Sequence, residues 1–397
     1  YSQVDSVTYN FKLVEGIMFH NGEEMKASDV KFSLERGIGT SMNYLVGDID
    51  HVEVLGDYEF NIVLKASNGA FLAGLTTPQT GILNEKAVTE AGGDYHGKAP
   101  YYKTIVFNEI SDDTIRANQL ESGEINAAAL AATDVLRFEK DDNYQIVKAE
   151  TYGLISVGMN YNSKTLADQK VRQAIAYALD TTAITKATYL GYADNATAIL
   201  NPNVTFSIAD ELDVNKYDTD KAKKLLTEAG YSEGELNLTL VIDTRTDVTA
   251  VGTMVKEYLN QVGINCKIVT GDKTTMSGSY YANGTSYDIF VGTWYCATPD
   301  ANTQIVTTFH SSCNGATGGY AWMHDDAVDK LIETARASTN KEERAALYKE
   351  LQELVNTEKW WIPVLYYVDC WGVSDGMDIS ACLSPTGQHQ WWKAVAK

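Results

Sequence analysis

Residues 11–36 read FKLVEGIMFHNGEEMKASDVKFSLER, and this stretch decides the fold. Phe11 and Leu13 alternate with Lys12, Glu15-Gly16 offers a turn, and Ile17 and Phe19 resume the apolar alternation of a strand. Asn21-Gly22 is a second turn signal, because glycine tolerates the positive φ that such turns require. Ser28 stands where it would cap a helix opening at Asp29, whose acid complements the helix dipole. The spacing therefore predicts a β-hairpin running into a helix.

Working outward, residues 52–54 and 60–64 alternate at period two, so the region to about Lys86 reads as hairpin-rich. From Ile105 the rhythm becomes strand, helix, strand, with Ser111 or Asp112 as the helix cap and Gly123 as its stop. Val171, Ala174, Ile175, Ala178 and Leu179 make one buried stripe. Asp218 caps a helix that carries Ala222, Leu225, Leu226 and Ala229 and ends at Gly230. A strand at 236–242, a helix at 248–261 and a strand at 265–269 have βαβ spacing, which predicts a parallel pair with a right-handed crossover. Residues 287–291 read as a further buried strand, and Asn340 with Glu343 as a capping box for the helix through Leu347, Leu351, Leu354 and Val355. The chain then returns through 360–367 and finishes at Trp391-Trp392.

A chain of 397 residues exceeds one ordinary core and predicts two or three domains. Its net charge of −21 argues against nucleic acid and anionic membrane surfaces, both of which need basic patches, and for a monomer kept apart by repulsion. No run approaches transmembrane length. The 24 tyrosines suit wet grooves, being rings with polar tips. Cys266, Cys296, Cys313, Cys370 and Cys382 show neither C-x-x-C nor zinc spacing, so free buried thiols are expected, although a Cys370–Cys382 bridge is geometrically conceivable.

Catalytic motifs do not survive inspection. The G-x-S-x-G at 230–234 has a helix before it and a strand after it, the reverse of a nucleophile elbow, so Ser232 is read as a turn residue. Gly37-Ile38-Gly39 lacks the strand–helix context of a nucleotide loop. The six histidines carry no metal-binding spacing, and no cofactor is called for.

Several blocks besides the opening one resemble a known family. These are IVFNEISDDTIRANQLESGEIN at 105–126 (with Asn126 where Asp is usual), YNSKTLADQKVRQAIAYALD at 161–180, AKKLLTEAGY at 222–231, the segment 327–348, and Ile362-Pro363. With F-x-L, G, F-H-x-G, A-S-D-V and S-x-x-R in 11–36, they resemble family 5 of the bacterial extracellular solute-binding proteins, the oligopeptide, dipeptide and nickel binders of ABC importers. The resemblance implies an α/β, two-lobed periplasmic-binding-protein-like fold (type II, cluster C) with an extra hairpin-rich domain on the first lobe. Boundaries are expected at 1–86 for the extra domain, 87–194 for the first lobe, 195–365 for the second and 366–397 for the return, with crossovers near 178–182 and 366–371. It also implies a binding protein and not an enzyme, sited in the periplasm or lipid-anchored outside the membrane, with ABC permease subunits as partners. Relatives carry a strand pair after A-G-x-D-Y that is missing here, so residues are expected to be absent between Tyr95 and His96. A natural deletion there would leave unpaired edges.

The segment at 292–300, GTWYCATPD, follows the strand 287–291, where open α/β sheets collect ligands. The family carries a cleft-lining Trp here, which makes Thr293, Trp294 and Tyr295 the expected ligand-lining residues, with Asn314 and Tyr320 from the following glycine-rich loop. His310 becomes a metal neighbour only if the ligand is a metal chelate. Peptide binders of the family place an Asp three residues after this Trp to hold the ligand's ammonium, and that position is Ala297 here. Losing that charge-assisted bond removes about 1.5–3 kcal/mol. Either another carboxylate supplies the anchor or the ligand has no free amino terminus. The expected solute is an oligopeptide, with an oligosaccharide or nickel chelate as the alternative and hydrolysis as a distant third.

Overall fold

The computed structural model describes residues 1–19, 21–40, 42–91, 101–110, 112–315 and 318–397. The chain divides into two units, Tyr1–Thr104 with Glu333–Ala346, and Ile105–Ile332 with Leu347–Lys397.

The first unit is built on an antiparallel sheet of β1 (Ser2–Gln3), β2 (Thr8–Lys12), β3 (Ile49–Gly56) and β4 (Glu59–Leu64), in the order β1-β2-β4-β3. Phe60, Ile62 and Leu64 of β4 point inward at period two and meet Val30 and Leu34 of the helix Ala27–Glu35. Each such burial contributes about 1.5–3 kcal/mol. The opening hairpin forms only in part. Beyond Lys12 its pairing, among the described residues, shrinks to one bridge, Met18 to Glu24, with Gly16 and Gly22 at φ 78° and 84° in the turns. The helix begins at Ala27, so Ser28 is not its cap. Instead the Lys26 N–H donates to Asp29 Oδ2 at 2.9 Å, and Asp29 Oδ1 accepts the Glu85 N–H at 2.8 Å. The segment 333–346 is tied in by Arg336, whose Nη2 donates to both oxygens of Asp48 at 2.7 and 2.6 Å. Backbones touch there as well: Gly69 N–H donates to Arg336 O at 2.6 Å, and a Cβ on Gly69 would lie 1.8 Å from Ser338 O.

The second unit holds a seven-stranded mixed sheet. Its strands are β5 (Ala127–Ala129), β6 (Tyr144–Met159), β7 (Asp194–Asn195), β8 (Asn237–Asp243), β9 (Asn265–Gly271), β10 (Ile289–Tyr295) and β11 (Trp361–Ser374). The order is β5-β11-β6-β10-β8-β9, with β7 beside β11. The expected parallel pair is β8 with β9, joined through the helix Thr246–Gln261, and β10 is parallel to β8. Caps follow the expected chemistry: Asp112 accepts from Ile115 N–H at 2.8 Å and Asp218 from Lys221 N–H at 2.9 Å. Asn340 accepts from Glu343 N–H at 2.9 Å, but Glu343 turns its carboxylate to the Ser338 hydroxyl and no reciprocal box bond closes.

The strand expected from Ile105 does not form. Ile105, Val106 and Phe107 are exposed coil, and among the described residues no strand pairs with them, so their alternation has no ladder to join. The expected gap at Tyr95 and His96 lies outside the described residues. Among the described residues no helix is long and apolar enough to cross a membrane.

Candidate functional site

The strand expected to stop at Val291 continues to Tyr295, because β6 supplies a partner throughout: Thr293 opposes Ile155, Trp294 opposes Leu154 and Tyr295 opposes Gly153. Thr293, Trp294 and Tyr295 are therefore strand residues, not a loop beyond the strand. They alternate between two faces and cannot line one wall together.

On one face Trp294 is 7 % exposed and packed in aromatic rings, with Trp361 at 4.4 Å and Phe290 and Tyr320 each at 5.7 Å between centroids. Gly292 makes room, since a Cβ there would come within 2.6 Å of the indole. Tyr320 stacks on Tyr281 at 4.0 Å. The structure thus brings Trp294 and Tyr320 together inside the packed layer. Asn314 stands apart and donates from Nδ2 to Met323 O at 2.7 Å. His310 places Nδ1 at 2.8 Å from Ser312 Oγ. Among the described residues no three His, Cys, Asp or Glu side chains gather as a metal site.

The other face is polar. Tyr295 is 41 % exposed at its edge while its ring lies over Gly153, where a Cβ would come within 2.6 Å of Cε1, and stacks on Tyr367 at 5.4 Å and 21°. The hydroxyls of Tyr367 and Tyr189 both donate to Asp247 Oδ2, the latter at 3.1 Å. Asp247 lies in the first turn of the helix Thr246–Gln261, just past the end of β8. Beside it Arg245 donates to Asp243 from Nε at 3.0 Å and from Nη2 at 2.9 Å. Parallel β8 and β10 thus bring Asp243, Arg245, Asp247 and Tyr295 to one edge, the carboxyl end at which α/β sheets bind ligands.

β11 completes the face with Tyr367, Asp369 and Trp371, at alternate positions of one strand. Opposite Tyr367 the β6 ladder is irregular, and Thr151 bridges the break: its hydroxyl donates to Tyr367 O at 3.0 Å and accepts Gly153 N–H at 2.9 Å. Burial raises the pKa of Tyr189, Tyr295 and Tyr367, so these phenols stay neutral donors at physiological pH. Burial also raises that of Asp369 and lowers that of His389. Cys296, next along from Tyr295, is pushed up to about 12 by burial and donates to Asp300 O at 3.3 Å, which makes it an inert thiol. All five cysteines are thiols and not disulfides.

Arg245, Asp247, Tyr367, Asp369 and His389 were not anticipated from sequence. The D-T-R-T-D at 243–247 was the available signal, because the rule applied to β10 holds equally for its parallel neighbour β8.

A cavity of about 340 Å³ lies elsewhere in this unit, lined by Tyr161, Arg172, Asp325, Glu358 and Trp360 among others. There Arg172 donates to Glu358 Oε2 at 2.7 Å and to Leu166 O at 2.9 Å, with its guanidinium 3.9 Å from the Trp360 ring centroid. Those groups hold one another, which marks a structural pillar.

The α/β fold is that of periplasmic binding proteins. The family described as bacterial extracellular solute-binding proteins, family 5 Middle, matches residues 2–92 and 82–316, and the chain belongs to it. It is a family of non-enzymatic solute binders. Glutathione-binding protein GsiB of Salmonella typhi is 25% identical over 400 residues, covering 91% of this chain and 78% of that protein. DppA of Helicobacter pylori, solved in complex with peptide STSA, superposes with TM-score 0.81 at 20% identity, over 100% of this chain and 88% of that one. NikA of Staphylococcus aureus, in complex with Ni(L-His)2, gives TM-score 0.79 at 18% identity, over 100% and 90%.

Proposed function

We propose that this chain is the extracytoplasmic receptor of an ABC importer, taking a peptide-like solute and delivering it unaltered to membrane permease subunits. The observation that carries this is the polar face itself. Tyr295, Arg245 and Asp369 present a donor, a cation and a carboxylate on one face, the complement of a zwitterionic chain with amide groups. GsiB and DppA, whose names state glutathione and a peptide, support the solute class. Thr293 and Tyr295 are the lining residues, and Trp294 and Tyr320 form the wall behind them. The long strands β6 and β11 are the natural hinge, since a solute held by both lobes stabilises the closed state over the open one.

Native mass spectrometry of freshly purified protein tests the reading. Adducts whose masses fit short peptides or glutathione, released on mild denaturation, are the expected result. A carbohydrate or nickel adduct would overturn the peptide class while leaving a receptor. Conversion of the released compound would overturn the receptor.

A further inference from the structure

We propose that Asp369 supplies the counter-charge for an ammonium group of the bound solute, in a pocket framed by Tyr295, Trp371 and His389. The inference deepens the peptide-like reading and rests on it.

Three partly buried carboxylates at or near the parallel strands β8 and β10 have hydrogen-bond partners. Asp243 holds Arg245, Asp247 accepts from Tyr189 and Tyr367, and Asp288 accepts from Ser163 Oγ at 2.6 Å and Thr239 N–H at 2.8 Å. Asp369 differs. Its side chain is 24 % exposed, it accepts no hydrogen bond among the described residues, and His389 Nε2 stands 3.9 Å away, beyond hydrogen-bonding reach. Nδ1 of that ring accepts the Ser384 N–H at 3.2 Å, so a neutral His389 carries its proton on Nε2 and turns an N–H, not a cation, toward the carboxylate. Burial disfavours the charged imidazole. The nearest lysine on the adjoining strand, Lys148, opposes Cys370, on the other face, and is engaged with Glu139 at 3.1 Å. A half-buried carboxylate without hydrogen bonds is costly, and is tolerated where a ligand completes it.

The surroundings suit a cation. Trp371, His389 and Trp391 meet edge to face with centroids 4.9–5.5 Å apart, His389 lies 3.9 Å from Asp369, and the Asp369 charge also reaches Tyr295, which stacks on Tyr367. Ring faces attract ammonium groups, most strongly where water is partly excluded. A carboxylate beside them adds a directed charge.

The test uses the full chain, freed of co-purified solute, with calorimetric titration of tri-alanine and glutathione and of their N-acetylated forms. Wild type should bind at least one free-amine probe about ten- to hundredfold more tightly than its acetylated form. Asp369→Asn should abolish that preference while binding the acetylated form as wild type does, and Asp369→Glu should restore part of it. Equal binding of free-amine probes by wild type and Asp369→Asn overturns the anchor and leaves the peptide reading intact. Failure of wild type to bind any of these probes overturns the peptide reading and the anchor with it.

Discussion

At the scale of single residues, Asp369 has a consequence independent of any solute. Its folded pKa is raised by burial, so the unfolded chain ionises first as pH rises. Stability is therefore lost as pH climbs from the ordinary aspartate value of about 3.9 through the folded value, and is regained on acidification. Asp369→Asn removes that loss. Solute-free variant should melt at a higher temperature than wild type at pH 7, with the gap narrowing toward pH 4, and thermal melts across that range would show it. A variant that melts lower at pH 7 would mean the carboxylate has a stabilising partner. Sequence alone raises the question of a replacement, since Ala297 stands where the family's peptide binders carry an acid, but names no candidate carboxylate. Nothing local in Val368-Asp369-Cys370 marks a free carboxylate, because its isolation comes from distant residues such as His389 and Tyr295.

At the scale of elements, β10 decides which expected site residues can act together. The tetrapeptide Gly292-Thr293-Trp294-Tyr295 stands out in the sequence, but read as loop it conceals its own alternation. Strand geometry separates a core position from a lining position one residue away. Trp294→Ala should thus destabilise the fold by about 3–5 kcal/mol, as for a buried aromatic in a packed layer. Tyr295→Ala should cost markedly less in urea unfolding yet weaken solute binding in titration. Comparable stability losses for the two would contradict the two-faced strand. Other elements were read well where their signals are local: caps at Asp112 and Asp218, the apolar stripe from Val171, the β8–β9 pair. The misreadings, Ser28 as cap and a strand at Ile105, arose where a neighbour makes the decision. Asp29 captures the Lys26 N–H, and the Ile105 run meets no partner strand among the described residues.

At the scale of the whole molecule, each unit owns a separate core, that of the first gathered around Phe60, Ile62 and Phe71. Calorimetry should resolve this. Gly69→Ala forces a methyl group against Ser338 O and should lower the transition of the first unit by an amount equivalent to about 1–3 kcal/mol. A solute at a hundredfold over its Kd should raise the transition of the second unit, which carries the candidate site, by the equivalent of about 2.7 kcal/mol. A single transition shifted alike by both treatments would show that the units unfold as one.

The back-to-back arrangement of β10 also bears on how such a receptor changes its diet. Positions 292 and 294 are committed to holding the aromatic layer together, whereas 293, 295, 369 and 371 look outward from the same two strands. On the proposed reading of the site, selection, or a combinatorial library confined to those four codons, can rewrite what the protein captures without renegotiating how it folds.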